Sequence, residues 1–207
     1  ARADSDVMRQ AEKQTQELLA EPGVTLGTER RFVVNSFVAL KVFKDLMKEN
    51  DCTNLGVANC MGTVIRVLDT PPCLIFALLN DEGYTAFCHT DYTHTPPGVL
   101  LRWISGKPSF ISNSHFPHHG TLTLAHCATP RRMNGRDMEP TKIVTHFESD
   151  YGAATRVEFT KGTVITNLIP NLTCTMWHGF RGTIVDTPDY PACRSQINMT
   201  IDGNWKK

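Results

Sequence analysis

The segment from Pro71 to Phe116 limits the fold more than any other part of the chain, because short apolar runs alternate there with polar clusters. A β-like run, Tyr84 to Cys88, leads into polar residues, and Pro96-Pro97-Gly98 then opens an apolar helix, Val99 to Ile104. A further β-like run, Ser109 to Ser112, completes a strand–helix–strand unit. In open α/β sheets ligands bind beyond the carboxyl ends of the strands. We therefore expect a site among the polar residues that follow these two runs.

The rest of the chain divides into a helical part and a β-rich part. Amphipathic periodicity predicts helices over Asp4–Leu19 and from about Thr28 to Glu49, and Leu55–Ala58 is predicted to be a short buried strand. This order predicts an α/β fold with a mainly parallel sheet and flanking helices over residues 1–116. Regularly spaced short strands predict a C-terminal antiparallel β-barrel over residues 117–207. These strands are Thr121–Cys127, Lys142–Phe147, Thr155–Thr160, Thr163–Ile169, Leu172–Trp177, Gly182–Val185 and Arg194–Ile201.

Charge and cysteine usage restrict the partners and the compartment. The 21 basic and 21 acidic residues cancel, which argues against a nucleic-acid partner. Apolar runs stay below the ~20 residues that span a bilayer, so no membrane partner is expected. The cysteines are scattered and form no CxxC, which predicts reduced, buried thiols and a cytoplasmic location. They are Cys52, Cys60, Cys73, Cys88, Cys127, Cys174 and Cys193.

The histidines suggest metal ligands. All eight lie between residues 89 and 178. His89-x-Asp91-x-x-His94 could supply ligands to one divalent metal, because imidazole and carboxylate groups suit Zn, Mn or Fe. In the alternative interpretation Asp91 caps a turn and the histidines are solvated, and the spacing leaves both open. His146-x-Glu148, predicted to share one face of a strand, could bind a metal or hydroxyl groups, or could form an exposed polar face.

A second set of candidate site residues lies in the β-rich part. Trp177-His178-Gly179 with Arg181 offers an aromatic platform and hydrogen-bond donors, as sugar sites often do. A core tryptophan is the alternative interpretation. His126 ends a predicted strand next to Cys127.

Several motifs, in order along the chain, resemble those of the L-fucose isomerase and L-arabinose isomerase superfamily, and more closely its fucose-isomerase-like proteins. The resemblance runs from about residue 28 to the end. It implies a central α/β domain followed by an antiparallel β-barrel, with an N-terminal α/β domain and a short C-terminal stretch lying outside this sequence. The matching motifs are Leu79-Asn80-Asp81-Glu82-Gly83, Cys88-x-x-Asp91, Leu101–Phe110, Leu124–Pro130, Thr155–Leu168 and Cys193-Arg194-Ser195-Gln196.

The resemblance implies aldose–ketose isomerisation. In this family a divalent metal, usually manganese, holds two sugar oxygens while two carboxylates move a proton through an enediol. The first catalytic glutamate of the family falls on His89 and the second acidic ligand on Asn113, so neither position carries a carboxylate here. Asp91 and His115, each two residues away, are possible substitutes. The histidine ligand of the family is expected beyond Lys207.

Three function hypotheses follow. The first is a sugar isomerase-like protein with an altered acid and metal site, acting with Mn²⁺ on a small sugar as a homo-oligomer. Its alternative is a non-catalytic carbohydrate-binding or regulatory relative, because both carboxylates are replaced. The third is a metal-dependent hydrolase or lyase with a site built from His89, His94, His118 and His126. For the first hypothesis the catalytic residues are His89, Asp91, Asn113 and His115, the substrate-binding residues are His126, Trp177 and Arg181, and the metal-binding residues are His89 and Asn113.

Overall fold

Helices dominate up to residue 105 and strands after it, in a computed structural model that describes residues 4–88, 90, 93–115 and 117–203. The helices are α1 (Ser5–Ala20), α2 (Arg30–Glu49), α3 (Ile65–Leu68), α4 (Cys73–Asp81) and α5 (Thr95–Ser105), and a π-helical turn spans Cys60–Val64 before α3. The strands are β1 (Val24–Leu26), β2 (Asn54–Gly56), β3 (Thr85–Phe87), β4 (Asn113–Ser114), β5 (Leu122–His126), β6 (Thr141–Val144), β7 (Ala154–Val157), β8 (Val164–Pro170), β9 (Trp177–Asp186) and β10 (Ser195–Ile201).

The long helices form where the sequence predicts them. Helix α1 begins after Asp4, whose carboxylate accepts hydrogen bonds from the first-turn amides of Asp6 and Val7. Helix α2 follows Glu29 rather than Thr28, because the Thr28 hydroxyl donates to the carbonyl of Gly152 at 2.8 Å instead of capping the helix. Helix α4 is apolar from Cys73 to Leu79 and is almost entirely buried, as expected for a core helix.

The predicted mainly parallel sheet is wrong. Only two of the strand pairings are parallel, β1 with β6 and β2 with β3, and each joins three residues per strand. The other pairings of the described residues are antiparallel, and the largest sheet is a five-stranded half-barrel in the order β4-β5-β10-β9-β8. The error arises after α5, where Ser109–Ser112 form no strand. Asn113 and Ser114 pair antiparallel with β5 instead of extending a sheet beside β3.

The β-rich part follows the predicted spacing with one change. Strands β5 to β10 lie close to the predicted strands, but Leu172–Met176 form a turn, and β9 continues as one ten-residue strand from Trp177. Strands β8 and β9 form a long hairpin that pairs Pro170 with Trp177 at its tip and Val164 with Thr183 at its base. The five strands curve as a half-barrel rather than closing into the predicted barrel.

Two apolar cores divide the molecule. The larger core packs α1, α2 and α4 against β3, β6, β7 and the residues that follow β5. The smaller core lies within the half-barrel around Leu124, Phe159 and Ile197. The domain boundary between residues 116 and 117 stays a prediction, and the β1–β6 pairing joins residues on either side of it.

Among the described residues no single helix is both long and apolar enough to cross a membrane. One helical pair, Cys60–Leu68 with Cys73–Asp81, meets the length and composition criteria only when taken together, and it is bent by 90° at the break.

Candidate thiol and metal centre

Five of the seven cysteines gather at the larger core, and all seven are free thiols. The sequence predicts reduced, buried thiols; no disulfide joins these seven cysteines, but only three of the seven are buried. The five come from distant parts of the chain, mostly from the ends of helices and strands. They are Cys60 at the start of the π-helical turn, Cys73 at the start of α4, Cys88 after β3, Cys127 after β5 and Cys193 before β10.

Cys60 and Cys88 form the first thiol pair, with their Sγ atoms 3.4 Å apart. Cys60 is half-buried, whereas Cys88 is only 7% exposed. A hydrogen bond from the Cys88 thiol to the Cys60 sulfur lowers the pKa of Cys60 to about 7, against the opposing effect of burial. The same hydrogen bond, together with burial, raises the pKa of Cys88. The hydrogen bond between the two sulfurs therefore favours the thiolate at Cys60 and the thiol at Cys88.

Cys127, Glu148 and Cys193 form the second group, in which one ligand atom of each residue lies within 4.8 Å of the others. A hydrogen bond from the Cys193 thiol and another from the Arg194 amide, 3.4 Å from the Cys127 sulfur, lower the pKa of Cys127. The hydrogen bond to Cys127, with burial, raises the pKa of Cys193. The Cys193 Sγ also lies 3.5 Å from the Glu148 Oε1. The single thiol proton of Cys193 therefore has two acceptors within reach.

His146 and Ser149 orient the carboxylate of Glu148. The Nε2 of His146 lies 2.7 Å from the Glu148 Oε2, and its Nδ1 lies 3.0 Å from the Ser149 Oγ. Burial lowers the pKa of His146 despite the neighbouring carboxylate, which favours the neutral ring. A neutral ring that donates from Nε2 to Glu148 must accept at Nδ1 from the Ser149 hydroxyl.

The contact between His146 and Glu148 arises differently from the sequence prediction. Strand β6 ends at Val144, so both residues lie in the loop before β7 and do not share a strand face. The loop nevertheless brings the two side chains together, and it leaves Glu148 half-exposed. The carboxylate of Glu148 is therefore accessible from solvent.

The Cys127, Glu148 and Cys193 group could hold a metal ion. With Zn–S bonds near ~2.3 Å and Zn–O bonds near ~2.1 Å at a tetrahedral angle, a sulfur and an oxygen on one zinc ion lie about 3.6 Å apart. The 3.5 Å between the Cys193 Sγ and the Glu148 Oε1 matches this spacing. Sites with three protein ligands keep a position for a further ligand, as catalytic zinc sites do.

The residues predicted from the resemblance lie elsewhere or outside the described residues. His89 and Asp91 are outside the described residues. Asn113 and His115 are exposed at strand β4, where Asn113 pairs with Ala125 of β5. His126 is 5% exposed, and its Nδ1 accepts a hydrogen bond of 3.2 Å from the Ala128 amide.

The predicted sugar-contacting residues of the half-barrel lie on β9. Trp177 and Arg181 are exposed there, and β10 separates this strand from β5 and His126. The Trp177 Nε1 donates to the Cys174 carbonyl at 2.9 Å, and Arg181 pairs with Asp202 at 3.3 Å. The structure therefore brings Asn113, His115 and His126 to neighbouring strands but not Trp177 or Arg181.

The third hypothesis needed four histidines at one site. His89 is outside the described residues. His94, His118 and His126 belong to no group of three or more His, Cys, Asp or Glu ligands in the described part of the chain. The described histidines therefore do not support this site.

Sequence analysis missed the thiol groups because their members are far apart in the chain. Cys60 and Cys88 are separated by 28 positions. A signal for the second group was nevertheless present, since Cys127 directly follows β5 and Cys193 stands just before β10. These strands pair antiparallel with Ser195 opposite His126, which brings the two cysteines together at one end of the pair.

Comparison with known proteins adds no relative, since neither a protein-family model nor a curated protein matches the chain. The resemblance to the sugar isomerase superfamily therefore stays a prediction.

Proposed function

We propose that this protein binds a zinc ion through Cys127, Glu148 and Cys193. The observation that carries the proposal is the convergence of two thiol sulfurs and a carboxylate oxygen within 4.8 Å at the edge of the larger core. The lowered pKa of Cys127 favours the thiolate that a metal needs. The neutral His146 donates a hydrogen bond to the Glu148 carboxylate. Carboxylates that bind metals are usually held by such hydrogen bonds.

Zinc suits this group better than manganese. Thiolate ligands favour Zn²⁺, whereas Mn²⁺ prefers carboxylate, carbonyl and water oxygens. Manganese stays the proposal for the separate site that the resemblance predicts at His89 and Asn113. We also propose a cytoplasmic location, because thiolate ligands must remain reduced in order to bind a metal.

Our second proposal is a sugar isomerase-like protein with an altered acid and metal site, or its non-catalytic carbohydrate-binding relative. The observation in its favour is that Cys88 lies in the thiol-rich core. The next residue, His89, is the position on which the first catalytic carboxylate of the family falls. An open position on the proposed zinc ion would suit a hydroxyl or carbonyl oxygen of a sugar. Assembly as a homo-oligomer belongs to this proposal.

Metal analysis of the reduced full chain tests the zinc proposal. We expect one zinc per chain by elemental analysis after exposure to equal Zn²⁺ and Mn²⁺, and we expect Cys127→Ser and Cys193→Ser to lose it. Cys60→Ser and Cys88→Ser are the matched controls, because they remove core thiols outside the group and should keep the zinc. A chain that binds no zinc, or that keeps it in the Cys127→Ser/Cys193→Ser double variant, would overturn the proposal.

Sugar binding is tested separately on the same zinc- or manganese-loaded chain. Titration calorimetry with a panel of aldoses and ketoses measures binding, and NMR of the mixtures measures aldose–ketose conversion. Conversion supports the isomerase, and binding without conversion supports the non-catalytic relative. If the panel shows neither binding nor conversion, both forms of this second proposal are rejected, whatever the zinc result.

A further inference from the structure

We propose that Cys60 and Cys88 form an oxidation site for peroxides, in which Cys60 is the attacking sulfur and Cys88 closes a disulfide. Neither residue belongs to the Cys127–Glu148–Cys193 group, although Glu148 acts electrostatically on the pKa of Cys60 and Cys127 on that of Cys88. The two sulfurs lie 3.4 Å apart. They need to approach by only about 1.4 Å to reach the disulfide bond length.

The surroundings of the two thiols decide which one reacts first. Cys60 is half-buried and begins the π-helical turn Cys60–Val64, which contains no buried residue. Cys88 is 7% exposed and follows the fully buried strand β3. A dissolved oxidant therefore reaches Cys60 before Cys88. The lowered pKa of Cys60 adds to this preference, because the thiolate is the nucleophile.

The oxidation proceeds in two balanced steps. The Cys60 thiolate attacks one oxygen of the peroxide and the O–O bond breaks, so Cys60 becomes a sulfenic acid and the other oxygen leaves and takes up a proton. The Cys88 sulfur then attacks the Cys60 sulfur. The S–S bond forms, the S–O bond breaks, and the hydroxyl group leaves with the Cys88 proton as water. Two thiols are oxidised to one disulfide and one peroxide is reduced.

The π-helical turn can supply the movement that the disulfide needs. Its residues Met61, Gly62 and Thr63 are exposed, so a shift of the turn disturbs little packing. Strand β3 is held by parallel pairing with β2 and by burial, so Cys88 is the fixed partner. Cys73 lies in the same core but is 2% exposed and has a pKa raised by burial, which makes it unreactive.

Peroxide titration of the reduced full chain tests the inference. After one equivalent of hydrogen peroxide we expect a mass loss of about 2 Da and a peptide map that links Cys60 to Cys88. Cys88→Ser should instead hold the sulfenic acid on Cys60, where dimedone captures it. Cys60→Ser should form neither the disulfide nor a dimedone adduct at Cys88.

Cys52→Ser is the matched control, because Cys52 is an exposed thiol outside the core. This variant should form the Cys60–Cys88 disulfide at the rate of the unmodified sequence. A disulfide between other cysteines as the main product would overturn the inference. The inference would also be overturned if dimedone marked Cys52 before Cys60 in the Cys88→Ser chain. The titration is run with and without zinc, and since the pair lies outside the metal group, its disulfide should form in both.

Discussion

The two thiol pairs of the core are built alike but differ in their third neighbour. Cys60–Cys88 and Cys127–Cys193 each bring together two cysteines that are distant in the chain. Only the second pair has a carboxylate within metal-ligating distance, since the described residues contain no other group of three such ligands. We infer from this difference that the next polar group sets the role of a thiol pair. With Glu148 beside it, the second pair could hold a metal ion, whereas the first pair is the proposed site of oxidation.

Acidity alone does not distinguish the pairs. In each pair one thiol has a lowered pKa and its partner a raised one, because of the hydrogen bond between the two sulfurs. The hydrogen bonds therefore favour the thiolate at both Cys60 and Cys127. The contrast must come from Glu148 and from His146, which orients it.

Protection by zinc is the largest expected difference between the pairs. At a free zinc concentration of 100 times the dissociation constant, we expect alkylation of Cys127 to slow about 100-fold, because only the zinc-free fraction reacts. Alkylation of Cys60 should change little. The rates are measured by mass spectrometry of iodoacetamide-treated chains, with Cys52 as the internal reference. Equal protection of Cys60 would show that both pairs bind metal, and the proposed difference between the two pairs would be wrong.

Removal of the histidine that orients Glu148 should have the next largest effect. His146→Phe fills similar space but cannot donate to the Glu148 carboxylate, so we expect zinc affinity to fall by roughly 10–100-fold. Ser149→Ala, which removes only the partner of the Nδ1, should cost less. Competition with a chromophoric zinc chelator measures both. An unchanged zinc affinity in His146→Phe would mean that Glu148 binds zinc without the hydrogen bond from His146. As a control, the Cys60–Cys88 disulfide should form as before in both variants.

The sequence predicted the elements better than their arrangement. Periodicity identified α1, α2 and most of the strands, because each depends on residues close together in the chain. It failed for the sheet, since Ser109–Ser112 have the composition of a strand but lack a partner beside β3. The thiol groups were hidden for the same reason, because Cys127 and Cys193 meet only when β5 and β10 pair. His146 and Glu148 were singled out by their spacing, although a loop and not a strand brings them into contact.

The smallest expected effect tests why Cys60 is acidic. The rate of Cys60 alkylation should rise with pH through about 7, because the Cys88 hydrogen bond lowers its pKa from the ordinary 9.0. Cys88→Ala removes the donor and should return the midpoint towards the ordinary value. At pH 7 the thiolate fraction would then fall about 50-fold. The more basic thiolate is about eightfold more nucleophilic, so the net loss in rate is about sixfold.

Cys88→Ser is the control, since its hydroxyl can still donate to Cys60. If the serine and alanine variants share one pH profile, the acidity of Cys60 does not come from this hydrogen bond, and the first pair owes its reactivity to exposure alone.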